Sequence, residues 1–328
     1  MAAPALTVEE ASARICADVV PLAFESVALL QSHGRVLAGP LLARLTAPPF
    51  DASAMDGYAV RAADIARLPA TLTLAGESAA GRGYDGRVGP GEAVRIFTGA
   101  PVPEGADTVV IQEDTTADGR TIRIDAWDGP KGNVRTRGHD FTIGTVLLDA
   151  GRRIGAREMT LAAAAGHASL GVRKAPTVAI LATGDELVPP GTAPGRDQIV
   201  CSNTYGLAAM VAAAGGAPLM LGIAKDTIDS HDAHIDRAAG ADILVTVGGA
   251  SVGEHDLVQR VLVARGLDLS FWKLAMRPGK PLMYGRLGST RVLGLPGNPV
   301  SALICGRLFL VPLIKRLLGD ASPAFEME

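Results

Sequence analysis

Aromatic residues are scarce in this sequence of 328 residues, where they make up only 4%. Sites that stack the bases of single-stranded nucleic acid need aromatic platforms, so such a partner is disfavoured. The net charge is −3, from 31 basic and 34 acidic residues, and the two signs are interspersed without a basic stripe. This pattern argues against nucleic acid and against an anionic membrane as the main partner.

Cysteines and long apolar runs are also scarce. Cys16, Cys201 and Cys305 are far apart and match no metal-binding spacing, which is typical of reduced structural thiols. No signal peptide precedes Thr7, and no run of about 18 apolar residues is long enough to cross a membrane. These features predict a cytoplasmic protein.

The N-terminal half combines helical segments with a segment rich in glycine and proline. A capping box at Thr7–Glu10 predicts a helix from Val8 to about residue 19, and further helices are predicted over 22–33 and 156–165. Between residues 46 and 137, short alternating runs predict a small antiparallel β domain. Its predicted strands are 72–74, 93–97, 108–112 and 121–124. Because helices flank this segment on both sides, we predict that it is inserted into a helical domain.

From residue 177 onward, predicted strands and helices alternate. The strands are predicted at 177–182, 218–223, 242–247, 269–275 and 291–295. The helices are predicted at 203–214, 230–239, 255–265 and 300–318. This alternation predicts a doubly wound, mostly parallel α/β sheet. Ligands bind such sheets outside the carboxyl ends of the strands.

The loop from Gly248 to Asp256 is the most informative of the loops at these strand ends. Gly248, Gly249 and Gly253 allow backbone N–H groups to approach a ligand closely, and a strand-to-helix turn suits an anion. Asp256 would repel a bare phosphate, which favours a divalent cation between them. The loop therefore predicts a site for a phosphorylated ligand with a metal ion.

Four other loops are predicted at the same edge of the sheet. They are Thr183–Glu186, Lys225–Asp226, Lys273–Lys280 and Leu295–Pro299. Their carboxylates suit Mg²⁺, and their cations suit phosphate or another oxyanion. Each loop alone is more often an ordinary turn, but the convergence of five loops at one sheet edge favours a site.

In the β segment, Asp51, Ser53 and Asp56 crowd a loop beside Gly57. Local chemistry favours a side-chain-capped turn that leads into a strand. Thr98 and Asp140 lie in similar polar turns. A ligand-binding role for these residues is the alternative, which the local sequence alone does not favour.

Seven motifs together resemble those of a known family. They are Ser53-Ala-Met-Asp-Gly-Tyr-Ala-Val60, Phe97-Thr-Gly-Ala100, Thr183-Gly-Asp-Glu186, Gly248-Gly-Ala-Ser-Val-Gly-Glu-His-Asp256, Phe271-Trp-Lys273, Pro278-Gly-Lys-Pro281 and Gly294-Leu-Pro-Gly-Asn-Pro-Val-Ser-Ala302. In this order they resemble the MoeA family of molybdopterin molybdenumtransferases, which includes the E domain of gephyrin. The resemblance extends from about residue 6 to residue 318.

The resemblance implies a multidomain α/β and β architecture. A helical linker domain comprises residues 1–45 and 138–174, an inserted small β domain comprises 46–137, and a doubly wound molybdopterin-binding α/β domain comprises 175–320. The family has a further C-terminal β domain, which has no counterpart after the last predicted helix. The resemblance also implies a homodimer, in which Asp56, Thr98 and Asp140 contribute to the substrate site of the partner subunit.

The activity implied by the resemblance is insertion of molybdate into adenylylated molybdopterin, with Mg²⁺ and release of AMP. The implied metal ligands, which also position the transfer, are Glu186, Asp226 and Asp256. The implied cationic groups are Lys273, Arg277 and Lys280; Arg277 stands where the family commonly has lysine, which keeps the charge but changes the donor geometry. The implied substrate-binding residues are Thr183, Gly184, Asp185, Gly248, Gly249, Ser251, Gly253, Pro278, Gly279, Pro296, Gly297 and Asn298.

Two alternatives remain open at this point. The absence of the C-terminal β domain favours a non-catalytic carrier of molybdopterin or molybdenum cofactor. The related adenylyltransferase, which acts one step earlier, shares the glycine loop but lacks the linker and inserted domains. That adenylyltransferase and a recipient molybdoenzyme are candidate protein partners. Whether molybdate or tungstate is used is also open.

Overall fold

The computed structural model describes residues 5–248 and 257–323, and these residues form two compact units. The first unit comprises the residues up to Pro40, Asp149–Met159 and the residues from Ser169 onward; the second comprises Leu41–Leu148 and Thr160–Ala168. Within the described residues, no helix combines the length and apolar character needed to cross a bilayer. The division into three domains stays a prediction.

The chain begins in the first unit with the helix α1 (Val8–Cys16). The predicted capping box is present: the Glu10 N–H donates to Thr7 Oγ1 at 3.2 Å, and the Thr7 N–H donates to Glu10 Oε2 at 2.9 Å. The predicted helix over 22–33 is wrong. That segment forms the strand β1 (Phe24–Ala28) and one short 3₁₀ turn, so the linker is helical only in part.

The second unit is built on β-strands. They are β2 (Leu41–Leu42), β3 (Ala52–Ser53), β4 (Gly57–Val60), β5 (Ala70–Ser78), β6 (Glu92–Ile96), β7 (Thr108–Ile111), β8 (Thr115–Asp118), β9 (Thr121–Ile124), β10 (Val134–Arg135) and β11 (Val146–Leu148). Six of them form one sheet in the order β7-β4-β6-β5-β9-β8. The four predicted strands are therefore present, but the prediction of a purely antiparallel sheet is wrong, because β5 and β6 are parallel. The long connection 79–91 allows this crossover.

The helix α2 (Ala156–Ala164) and the strand β12 (Ser169–Arg173) follow. β12 pairs antiparallel with β1, from Phe24 opposite Arg173 to Ala28 opposite Ser169. This partner lies far along the chain and provides the hydrogen bonds that make 24–28 a strand. The local pattern over 22–33 contains no sign of it.

The remaining elements of the first unit alternate as predicted. They are β13 (Thr177–Thr183), β14 (Leu187–Val188), β15 (Ile199–Val200), α3 (Asn203–Ala214), β16 (Ala217–Ala224), α4 (Ile228–Asp236), β17 (Ile243–Val247), α5 (Leu257–Ala264), β18 (Asp268–Phe271), β19 (Met283–Leu287), β20 (Thr290–Leu295), α6 (Pro299–Cys305) and α7 (Val311–Leu318). A π-helical turn over Gly306–Leu310 joins α6 and α7. The sheet order is β16-β13-β17-β20-β19-β18. β19, which the sequence did not predict, runs antiparallel to both of its neighbours, β18 and β20.

Both faces of this sheet are covered. Ile180 and Val245 pack with α3, α6 and α7 in one hydrophobic cluster, whereas Leu181 and Leu244 pack with α4 and α5 in another. Burial on both faces explains the continuous apolar runs of the parallel strands. The parallel strands β13, β16, β17 and β20 all end at one edge of the sheet, where their loops meet.

Candidate functional site

We call the loops at this edge the carboxyl-edge site. Among the described residues it comprises Thr183–Glu186, Lys225–Asp226, Gly248, residues 272–280 and Pro296–Asn298, which follow β13, β16, β17, β18 and β20. The predicted residues Gly249, Ser251, Gly253 and Asp256 lie outside the described residues.

Two glycines bring their backbones together in the carboxyl-edge site. Gly248 has φ +97°, and its N–H donates to the Leu295 carbonyl at 3.1 Å. A Cβ atom on Gly248 would lie 2.7 Å from the Thr183 carbonyl oxygen, and one on Gly297 would lie 3.5 Å from the Gly248 Cα. Neither glycine adds a side chain of its own at this junction, so a phosphate can approach the two backbones closely.

The Thr183 hydroxyl faces the same junction. Thr183 is only 4% exposed, and its Oγ1 has no hydrogen-bond partner among the described residues. It lies 3.1 Å from the position that a Cβ atom on Gly248 would occupy. A buried polar group without a partner costs about 1–3 kcal/mol and is rare in native proteins. A ligand oxygen at Gly248 would satisfy this hydroxyl.

Carboxylates from two adjacent loops also meet here. The Asp185 N–H donates to Asp226 Oδ2 at 3.4 Å, and the Asp226 N–H donates to Asp185 Oδ1 at 3.3 Å. The Glu186 carboxyl group folds against Gly184, next to the position that a Cβ atom on Gly184 would occupy. Asp185, Glu186 and Asp226 are therefore placed at one edge by the reciprocal bonds between the loops.

The donor chemistry of this edge fits a hard divalent cation. Mg²⁺ needs only one or two protein carboxylates, because it keeps several waters and shares phosphate oxygens. Glu186 and Asp226 supply such oxygens. Residues 5–248 and 257–323 contain no group of three or more His, Cys, Asp or Glu side chains that could hold a metal ion, and the third predicted ligand, Asp256, is not among them.

The turn over residues 272–280 carries three exposed cations, Lys273, Arg277 and Lys280. The Leu274 N–H donates to the Lys280 carbonyl at 2.9 Å, which closes the turn. Lys273 Nζ lies 5.7 Å from the centre of the Trp272 ring. None of the three cations forms an ion pair with a carboxylate of the described residues, so their charges remain available to an oxyanion.

The turn rests on a thiol that does not react. Gly279 has φ +109°, and a Cβ atom there would lie 2.8 Å from Cys305 Sγ. Burial raises the pKa of the Cys305 thiol to about 12, so the thiol stays protonated at neutral pH. Cys305 therefore supports the turn by packing and is not a nucleophile.

The loop after β20 is fixed at both ends by asparagines. Asn298 caps α6, since its Oδ1 accepts the Ser301 N–H at 3.1 Å. Asn203, the first residue of α3, donates its Nδ2–H to the Gly297 carbonyl at 2.8 Å. The sequence did not single out Asn203. Its position at the start of a helix that leaves the same sheet edge was the only available signal.

The polar turns of the second unit form a separate group, which we call the Asp56 cluster: segments 51–56, 97–101 and 133–140. The N–H and the Oγ1–H of Thr98 both donate to Asp56 Oδ1 at 2.8 Å. These two bonds, the backbone bond most of all, hold the pKa of Asp56 below its usual value, and the charge of Arg95 adds to the effect. Asp56 is therefore ionised at neutral pH.

The other members of the Asp56 cluster are also joined by hydrogen bonds. Asp140 Oδ1 accepts a bond from Arg135 at 2.7 Å, with both side chains about half exposed. The Ser53 N–H donates to the Ala100 carbonyl at 2.9 Å, and the Ala54 N–H donates to the Asn133 carbonyl at 2.8 Å. Segment 51–56 is thus bonded to both other segments.

Two family profiles match the chain. Residues 6–166 match the profile described as "MoeA N-terminal region (domain I and II)". Residues 179–316 match the profile described as "Probable molybdopterin binding domain".

Curated relatives and solved structures match over most of the chain. A molybdopterin molybdenumtransferase of Nostoc is 40% identical over 91% of this chain and 70% of its own length. One of Haemophilus influenzae is 36% identical over 96% of this chain and 78% of its own length. The crystal structure of a molybdopterin biosynthesis MoeA protein from Pyrococcus horikoshii superposes with a TM-score of 0.86 at 33% identity, covering 97% of this chain and 81% of that chain.

Proposed function

The chain belongs to the MoeA family of molybdopterin molybdenumtransferases, and we propose that it inserts molybdate into adenylylated molybdopterin with Mg²⁺ and release of AMP. Family membership assigns it to molybdenum cofactor biosynthesis as an enzyme. The details of the reaction and the roles of its residues are our proposal.

The observation that carries this proposal is the unsatisfied chemistry of the carboxyl-edge site. The buried hydroxyl of Thr183, which has no partner in the described part of the chain, faces the junction of Gly248 and Gly297. Lys273, Arg277 and Lys280, three cations that form no ion pair with a described carboxylate, stand at the same edge. Donors left unsatisfied by their own protein are suited to receive an anionic ligand.

We assign the substrate groups by charge and by access. The backbones of Gly248 and Gly297 receive the pterin phosphate, and Thr183 Oγ1 donates to one of its oxygens. Lys273, Arg277 and Lys280 bind molybdate. Two or three charged donors at one turn hold a tetrahedral dianion more firmly than a single lysine, because each adds a charge-assisted bond.

Glu186 and Asp226, together with Asp256, would hold Mg²⁺. Bound Mg²⁺ would neutralise negative charge on the phosphate oxygens while the bond between the pterin phosphate and AMP is cleaved. The residues of the chain contribute orientation: the bonds between Asp185 and Asp226 keep the two acidic loops together.

The Asp56 cluster serves the site of a second copy in a homodimer. Asp56 remains ionised at neutral pH, and its Oδ2 is not used by the bonds to Thr98. Support for this assignment comes from the family resemblance. We also keep the division into linker, inserted β domain and molybdopterin-binding domain as part of the proposal.

The test is a transfer assay with purified protein, adenylylated molybdopterin, Mg²⁺ and molybdate. We expect AMP release and molybdenum incorporation, both lost in Asp226→Ala and Asp256→Ala. Asp232→Ala is the matched control, because Asp232 on α4 pairs with Arg265, which directly follows α5, away from the carboxyl-edge site. Tight pterin binding without AMP release at any molybdate concentration would contradict the enzymatic function and favour a non-catalytic carrier.

Mixing two inactive variants tests the homodimer. If each site combines two copies, a mixture of Asp56→Ala and Asp226→Ala regains activity, because one of the two sites in a mixed dimer is then intact. A mixture that stays inactive, although the variants exchange subunits, contradicts the shared site.

A further inference from the structure

Asn203, the first residue of α3, connects its helix to the loop after β20 through a single hydrogen bond. Its Nδ2–H donates to the Gly297 carbonyl at 2.8 Å, across 94 residues of sequence. Gly297 in turn lies against Gly248, since a Cβ atom on Gly297 would be 3.5 Å from the Gly248 Cα. The bond therefore acts on the glycine junction rather than on α3.

Helix capping does not account for this bond. Asn203 is the first residue inside α3, and the preceding residue, Ser202, makes no side-chain capping bond. A side chain that capped its own helix would accept a bond from an N–H group one turn ahead. The Asn203 amide instead donates out of its helix to a carbonyl on another strand-end loop.

The hydrogen bond from Asn203 to the Gly297 carbonyl also fixes the direction of the next N–H group, because the peptide bond is planar. In a trans peptide, the carbonyl oxygen and the following N–H point in opposite directions. Because Asn203 holds the Gly297 oxygen, the N–H of Asn298 is directed away from Asn203. That N–H has no acceptor in the described part of the chain.

We propose that Asn203 is a positioning residue, which fixes the Gly297 peptide so that the glycine junction is preorganised for the pterin phosphate. This inference rests on the proposed function. Two other contacts hold the loop: the Gly248 N–H bond to the Leu295 carbonyl and the Asn298 cap of α6. Neither of them sets the orientation of the Gly297 carbonyl.

The inference separates the two substrates. Molybdate is assigned to the turn over 272–280, to which Asn203 makes no hydrogen bond. Loss of the Asn203 amide therefore weakens binding of the pterin substrate alone. Because a typical hydrogen bond contributes about 0.5–1.5 kcal/mol, the expected change is up to about tenfold.

The experiment compares Asn203→Ala and Asn203→Asp with Thr290→Val. Thr290 Oγ1 donates to the Ala241 carbonyl at 2.8 Å, so this control removes one side-chain-to-backbone bond at the opposite edge of the same sheet. For Asn203→Ala we expect a rise of up to about tenfold in KM for adenylylated molybdopterin, with kcat and the KM for molybdate within about twofold. Asn203→Asp should be worse, because its carboxylate repels both the carbonyl and the phosphate. Thr290→Val should leave every kinetic constant unchanged.

The outcomes distinguish this inference from the proposed function. If wild type transfers molybdenum but Asn203→Ala matches Thr290→Val in both KM values and in thermal unfolding, Asn203 has no positioning role. Equal increases in both KM values also overturn it. If wild type binds no pterin, the proposed function fails and the inference fails with it. Amide exchange at Asn298 then still reports whether the side chain orders the loop.

Discussion

Thr98 in the second unit and Thr183 in the first unit both occur in polar turns beside glycine. Thr98 uses its N–H and its hydroxyl to hold Asp56, whereas the buried Thr183 hydroxyl bonds to none of the residues that the structure describes. The same contrast extends to the charges. Arg135 in the Asp56 cluster is paired with Asp140, while Lys280 at the carboxyl edge forms no ion pair with a described residue.

This difference separates two kinds of polar site. A cluster whose donors and acceptors satisfy one another is already stable without a ligand, and it presents whatever groups remain, such as the Asp56 Oδ2. An edge that leaves donors unsatisfied loses stability in the free protein and recovers it on binding. Substitutions should therefore affect stability and activity differently in the two regions.

The largest contrast is expected for the cations. Lys280→Ala should lower transfer activity by about 10²–10³-fold, because charged donors to a reacting oxyanion have effects of this size. The unfolding temperature should not fall, since Lys280 makes no ion pair in the described structure. Arg265→Ala is the paired control: it loses contacts with Asp232 and Asp236, which costs about 1 kcal/mol at a solvent-exposed site, and keeps its activity. If Lys280→Ala loses stability, the Lys280 ammonium group has a stabilising partner in the free protein, and the contrast with the Asp56 cluster is wrong.

Two glycine-to-alanine substitutions at similar backbone angles test how closely the backbones approach each other at the glycine junction. Gly248 has φ +97° and Gly222 has φ +99°, so alanine is strained at both by about 1–2 kcal/mol. Gly222 has open space around its Cβ position, whereas Gly248 faces the Thr183 carbonyl at 2.7 Å. We expect Gly248→Ala to cost about 1–3 kcal/mol more, from overpacking, as measured by urea denaturation. Equal midpoints for the two variants would contradict the close approach.

The sequence predicted the part of this comparison that depends on local pattern. Apolar runs such as 243–247 and the helices between them predict a parallel sheet covered by helices on both faces. In such a sheet the carboxyl ends of the strands lie at one edge. β19 escaped prediction because its sequence, Met-Tyr-Gly-Arg-Leu, is short and interrupted by glycine. The segment 22–33 was predicted wrongly because its pairing with β12 is a distant contact.

Individual side-chain partners were beyond prediction for the same reason. The bond between Asn203 and Gly297 spans 94 residues, and nothing in either segment announces it. The Thr98–Asp56 bonds were likewise invisible, although the sequence correctly identified both turns as polar. Whether a polar residue is satisfied or left open depends on what the fold brings next to it.

The two threonines themselves provide the next test, with effects of opposite sign. Thr183→Val keeps the shape and removes a buried hydroxyl that has no partner among the described residues, so it should stabilise the protein by about 1 kcal/mol. Thr98→Val removes a bond to Asp56 and should lower the urea midpoint. Thr246→Val is a control for the first change, because the Thr246 hydroxyl is also buried and has no described partner. Pterin affinity should fall in Thr183→Val, and a variant less stable than wild type would show that this hydroxyl is satisfied.

The smallest expected effect is the pH dependence of the Asp56 cluster. The bonds from Thr98 lower the pKa of Asp56 from its usual value of 3.8 in the folded protein. A carboxyl group with a lowered folded-state pKa stabilises the protein above the unfolded value, and this contribution is lost as pH falls through the folded value. Asp56→Asn keeps an acceptor for Thr98 but has no charge to lose. The gap in urea midpoint between wild type and Asp56→Asn should therefore be present at pH 6 and shrink towards pH 3.

Asp118→Asn, a change at an exposed carboxylate that accepts no hydrogen bond from a described residue, should show no such narrowing. If the Asp56→Asn gap stays constant over this range, the charge of Asp56 is not what Thr98 holds, and the Asp56 cluster is stabilised by neutral bonds alone.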